Sequence, residues 1–106
     1  MALTRDFKET VRARAARDAA FRRALLAEAI DSMLAGDVAT GKAVLRDFIN
    51  ATVGFKRLGD DTQKSPKSLM RMLGDTGNPQ ANNLFEIVAY LQKREKLRLT
   101  IKTSAR

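Results

Sequence analysis

Apolar residues return along most of this chain every three or four positions, the spacing of helices that bury one face. Phe7, Val11 and Ala15 recur four apart, behind Thr4 and Asp6, whose side chains suit the cap of a first short helix. Asp18 suits the cap of a second. There Phe21, Leu25, Leu26, Ala29, Ile30, Met33 and Leu34 form one stripe, and Gly36 supplies a left-handed stop. A third helix sets Val38, Val44, Leu45, Phe48, Ile49, Thr52 and Val53 on one side and stops at Gly54. Two short helices follow at about 55–61 and 66–73, then the turn-rich GDTGNP, then a long helix at about 80–96 with Leu84, Ile87, Val88 and Leu91 inward.

The period changes at the end. Leu97, Leu99 and Ile101 alternate with Arg98, Thr100 and Lys102, a strand pattern with one charged face. A lone strand leaves its backbone unpaired, so it calls for a second copy or another protein; the plain alternative is a frayed basic tail. The expectation is an all-α chain of five to six helices with a short C-terminal β-strand. Residues 1–36 form a helical extension on the core, 37–96 the main body and 97–106 the tail, in one compact domain.

Composition narrows the chemistry. Twenty Lys and Arg against twelve Asp and Glu give a formal charge of +8, which favours nucleic acid, then anionic membrane, then an acidic protein. The plain alternative is a highly soluble basic protein. With no Cys and no His, disulfides, thiolate chemistry, ordinary zinc sites and histidine bases are excluded, so no enzyme, cofactor or metal is expected. The N-terminus carries charges throughout and no apolar h-region, and no apolar run approaches the roughly 20 residues of a membrane span. A cytoplasmic protein without a membrane partner is the expectation. Residues 5–23 offer only Phe7, Val11 and Phe21 to a membrane surface, too little apolar area to anchor.

One stretch imitates a nucleotide site. Gly36 to Ala43, GDVATGKA, nearly matches G-x-x-x-x-G-K-[ST], but Ala43 lacks the magnesium-binding hydroxyl and a helix, not a strand, precedes it. It reads as a turn between helices with Lys42 in solvent. Asp60 and Asp61 are neighbours and point in different directions on a helix, so they make no catalytic pair.

Residues 55–73, FKRLGDDTQKSPKSLMRML, hold more. Gly59 lets a second helix cross the first closely, and Leu69 and Leu73 share a face that can bury against Leu58. Ser65 can cap the second helix, and Pro66 fits its first position because the missing N–H would be unpaired there anyway. Lys64, Lys67, Ser68, Arg71 and Met70 remain outside, where a recognition helix meets base edges in a major groove. The plain alternative is a structural helical hairpin with a solvated basic face.

Leu58, Gly59, Ser65, Leu69 and Leu73, in the pattern LG-x₄-S-x₃-L-x₃-L, resemble the Cro/repressor-type helix-turn-helix. LLAEAIDSMLAGDVATGKAVLRDFINATVGF, SPKSLMRMLG and GNPQANNLFEIVAYLQ together resemble the addiction-module antidote family, the HigA-like antitoxins, over roughly residues 18 to 92. The resemblance implies a dimeric antitoxin that represses its own operon and neutralises a RelE/HigB-like toxin, an mRNA-cleaving partner. It carries double-stranded operator DNA recognition onto Ser65, Pro66, Lys67, Ser68 and Arg71. Lys56, Arg57, Lys64 and Lys42 are candidates for the DNA backbone. Where the family's turn has Gly and then an apolar residue, this chain has Gln63 and Lys64; Gln63 must accept a geometry that glycine adopts more easily. A homodimer is expected because one such helix covers one half-site. Its candidate seams are the Leu97, Leu99, Ile101 strand and the outer face of the 80–96 helix. A stand-alone regulator with the same motif, or a basic helical adaptor without a DNA role, stays open.

Overall fold

Breaks between the first helices fall where short acidic side chains satisfy free backbone N–H groups. Asp18 Oδ1 accepts from Phe21 N at 3.1 Å, and Asp37 Oδ1 accepts from Thr40 N at 3.2 Å. The Phe21 N–H, with the nearby Arg14 charge, holds the Asp18 carboxyl below its ordinary range. The Thr40 hydroxyl and N–H do the same for Asp37.

A computed structural model describes residues 5–105, with side chains from residue 9 onward. Its helices are α1 (Arg5–Arg17), α2 (Ala19–Leu34), α3 (Val38–Ala51), α4 (Phe55–Thr62), α5 (Pro66–Met72) and α6 (Ala81–Glu95). The expected cap at Thr4 and Asp6, and the side chain of Phe7, lie outside the described residues. Gly36 and Gly54 take the positive φ values of 92° and 79° that end a helical run. No described helix is long and apolar enough to cross a membrane.

α2 and α3 form the main packed pair. They approach closely at Gly41, where a methyl group would stand 2.8 Å from the Ala29 carbonyl oxygen and inside the Met33 side chain. The glycine of the nucleotide-loop lookalike is therefore a helix-crossing glycine within α3. α1 rests on both: Ala15 is fully buried, and Arg22 of α2 donates from Nη1 to the Ala15 carbonyl at 2.9 Å. The same guanidinium meets Glu95 of α6 at 3.0 Å, with the two side chains 23% and 9% exposed.

Leu26, Ala29, Leu45, Phe48, Ile49, Phe55, Leu58, Leu69, Leu73, Ile87 and Leu91 make one core drawn from α2 to α6. Burying each large side chain contributes on the order of 1.5–3 kcal/mol before chain entropy is set against it. α4 and α5, too short to persist alone, exist by this packing. Two assignments of inward residues change. Leu34 and Val38, expected in apolar stripes, are 63% and 46% exposed, Leu34 as the last residue of α2 and Val38 as the first of α3.

The predicted strand is corrected. Among the described residues there is no strand, and 97–105 run as irregular chain. Leu97 and Leu99 pack on their own core, and Gln92 supplies their backbone partners: its carbonyl accepts from Leu97 N at 3.0 Å and its Oε1 from Leu99 N at 2.8 Å. Side-chain alternation is present, but a single chain offers no neighbouring strand to form a ladder. Of the three residues expected in a strand seam, only Ile101 stands free, 77% exposed.

Candidate nucleic-acid interface

α4, the turn 63–65 and α5 form a helix–turn–helix unit whose geometry depends on Gly59. A methyl there would lie 2.5 Å from the Lys64 carbonyl oxygen and 3.3 Å from Pro66 Cδ. Any other side chain would push the turn off α4. Gln63 ends α4 in the left-handed conformation, φ 57° and ψ 43°, as the sequence required of it. Lys64 N then returns to the Gly59 carbonyl at 3.0 Å, closing the turn.

Ser65 starts α5. Its Oγ accepts from Ser68 N at 3.0 Å and is 2.9 Å from Ser68 Oγ, and Pro66 occupies the first helical position. Leu69 and Leu73 are fully buried beside Leu58 in the core. That fixes the roll of the helix about its axis. Lys67, Ser68, Met70 and Arg71 are left on the exposed side. Lys67, Met70 and Arg71 are free to meet a ligand, whereas the Ser68 hydroxyl is engaged in the cap.

Two cations from α3 hold the far end of α5. Lys42, 5% exposed, donates from Nζ to the Gly74 carbonyl at 2.9 Å and the Gly77 carbonyl at 2.7 Å. Arg46 donates from Nη1 to the Leu73 carbonyl at 2.5 Å and lies 3.9 Å from Asp75. These carbonyls lie at the C-terminal end of α5 and in the loop just beyond it, where a cation is a favourable partner. Lys42, expected in solvent and as a DNA-backbone contact, is thus corrected: it is a buried clamp. The sequence placed it on the exposed side because nothing local reveals carbonyls thirty residues away.

Lys64 is corrected as well. Its Nζ meets Glu86 of α6 at 2.6 Å, with the lysine side chain 21% exposed, so it tethers the turn to α6 instead of reaching outward. Arg57 is exposed but paired with Asp61 at 3.1 Å, and Asp61 also accepts from the Tyr90 hydroxyl at 2.5 Å. The Tyr90 hydroxyl, then Arg57, holds the Asp61 carboxyl below its ordinary range. Burial, then Asp61, pushes the Tyr90 hydroxyl up, and Asp61 raises Arg57. This trio joins α4 to α6, and its link across the two helices had no sequence signal, since Tyr90 lies twenty-nine residues beyond Asp61.

Of the residues expected at DNA, the structure gathers Lys67 and Arg71 on one exposed face, with Lys56 exposed on α4. Ser65, Pro66 and Ser68 build the start of α5. Lys42 and Lys64 serve the fold. Met70, 46% exposed between Lys67 and Arg71, joins the outer face. No family model, no curated protein and no solved structure matches the chain.

Proposed function

We propose that this chain is a Cro/repressor-like, sequence-specific DNA-binding protein that inserts the outer face of α5 into a major groove. The observation that carries the reading is the combination of a closed turn at Gly59 and an α5 whose buried leucines present Lys67, Met70 and Arg71 together. Arg71 is suited to a guanine edge, Met70 to a thymine methyl and Lys67 to a phosphate or a guanine. The resemblance to HigA-like antitoxins supports the further role of autorepressor and neutraliser of a RelE/HigB-like toxin, acting as a homodimer on a palindromic operator.

The internal engagements change the expected electrostatics. Lys42, Arg46, Lys64 and Arg22 are occupied within the fold. Lys56, Lys67 and Arg71 remain as the cations that the unit brings to the DNA, and about three charges neutralised per chain give a log–log salt slope of about −2.7 per chain and −5 per dimer. For a dimer that is about a thousandfold loss between roughly 50 and 200 mM salt.

Selection of the full chain against a randomised duplex library tests the reading, followed by titration of the recovered site at several salt concentrations. A recovered consensus and a slope near this value support it. Equal affinity for every duplex, or no retention at low salt, sinks it and leaves the basic-adaptor reading. The antitoxin role is tested by co-expression with the product of an adjacent reading frame: relief of that product's growth arrest supports it, and no adjacent frame or no relief refutes it.

A further inference from the structure

α6 touches the helix–turn–helix unit with polar side chains at two points. Glu86 and Tyr90 are four residues apart on α6 and share a face. Glu86 accepts from Lys64 Nζ at 2.6 Å, and the Tyr90 hydroxyl donates to Asp61, which also pairs with Arg57. Two cations of the unit, Lys64 and Arg57, are thereby neutralised. Lys56, Lys67 and Arg71 make no ion pair among the described residues.

The Glu86 contact is not what shapes the turn. Gln63 in its left-handed conformation, the Lys64 N–H on the Gly59 carbonyl and the Ser65 cap hold that backbone already. The Glu86 side chain is 49% exposed, and an ion pair so open to water contributes little to stability. Its effect is on charge. Lys64 stands directly before Ser65, the cap of the reading helix, and a lysine ammonium rides on a flexible stem that can swing to a phosphate. Paired with Glu86, it presents no net charge to a duplex.

We propose that Glu86 is a positioning residue that withholds Lys64 from the DNA backbone and so limits binding to unrelated sequences. The inference rests on the DNA-binding reading and deepens it. Phosphate contacts strengthen every duplex alike and carry no sequence information, so a cation held back at the turn lowers retention on random DNA without touching the base contacts. Releasing it adds one contact per chain. That steepens the log–log salt slope by about 0.9 for each chain bound, an extra three- to fourfold loss between roughly 50 and 200 mM salt.

Fluorescence anisotropy of the full chain tests it on the selected duplex and on a scrambled one, at several salt concentrations. The proteins compared are the parent, Glu86→Gln, and Glu86→Gln combined with Lys64→Met, which exchanges a neutral pair for a neutral pair. Circular dichroism and urea midpoints check that both variants fold. The expected result is that Glu86→Gln binds both duplexes more tightly, by about tenfold per chain at 0.1 M salt, with the steeper slope. The double variant returns to the slope of the parent. A merely structural role for Glu86 would not move the slope. Equal slopes for the parent and Glu86→Gln, with a shallower one for the double variant, overturn the proposal by showing that Lys64 already leaves Glu86 for a phosphate. Weaker binding of Glu86→Gln to the selected duplex alone overturns it too, because Glu86 then holds the turn in its reading geometry. A parent that binds neither duplex at low salt fails the DNA-binding reading and this inference with it; a parent that binds while Glu86→Gln leaves its slope unmoved removes this inference alone.

Discussion

Replacing Lys42 by Met separates its two possible roles in a single experiment. As a DNA-backbone contact, Lys42 would leave stability untouched on substitution and lower the salt slope. As a clamp, it donates to the Gly74 and Gly77 carbonyls at 2.9 and 2.7 Å from a side chain only 5% exposed. Met keeps most of the buried stem and removes the donors. The Gly74 carbonyl retains a second donor, Gly77 N at 3.0 Å, so the Gly77 carbonyl is the acceptor left bare. A deserted acceptor costs about 1–3 kcal/mol; water reaches this half-buried loop, and the relief of an enclosed ammonium offsets part of the loss, so about 1–2 kcal/mol is expected. Lys42→Ala also removes three methylenes at about 0.8 kcal/mol each, bringing its cost to about 3.5–4.5 kcal/mol. Urea unfolding followed by circular dichroism reads both, and in thermal melts each kcal/mol lowers Tm by about 4–8 °C. A Met variant as stable as the parent would refute the clamp.

Gly59→Ala is expected to destabilise by about 1–3 kcal/mol, since the added methyl meets backbone rather than a movable side chain, and urea midpoints measure it. Gln63→Gly is expected to stabilise by about 0.5–1 kcal/mol: relief of a left-handed conformation worth about 1–2 kcal/mol exceeds glycine's entropic cost of about 0.5–1. An unchanged midpoint would show that Gln63 sits there without strain. The Asp61–Tyr90 link gives a two-sided pH dependence. Asp61 has a lowered folded pKa, so its contribution is complete above the ordinary aspartate range and fades as pH falls below about 4; Tyr90 has a raised one, so its contribution fades as pH rises past about 10. Tyr90→Phe should flatten both limbs relative to the parent, and identical profiles would refute the coupling. Arg71→Ala should weaken the selected DNA site by about 1–3 kcal/mol and relax specificity at one base pair; equal loss on every duplex would reduce Arg71 to a phosphate contact.

Helix positions, caps and most core residues were legible because they depend on neighbours three or four residues away. Asp18, Gly36, Gly54, Ser65 and Pro66 all act within one turn, and each stands where its local chemistry predicts. Even the awkward geometry at Gln63 was readable from a missing glycine. The fates of the lysines were not. Lys42 and Lys64 look like any surface cation until Gly77 and Glu86, thirty-five and twenty-two residues downstream, are brought beside them by the fold. The tail failed for the same reason in reverse: its alternation is real, but a strand is a property of two segments, and Gln92 satisfies Leu97 and Leu99 within the chain.

The clamp on α5 also bears on the order in which the domain comes apart. α5 is a seven-residue helix held at one end by the Gly59 turn and at the other by cations that belong to α3. Nothing within α5 sustains it once α3 moves away, so it has no private opening equilibrium. Its slowest amide hydrogens, those of Leu69 and Met72, should exchange only through loss of the whole core, at the same rate as amides of α3. The segment with the most exposed chemistry would then be among the most protected, with its outer face offered to a ligand as a rigid surface.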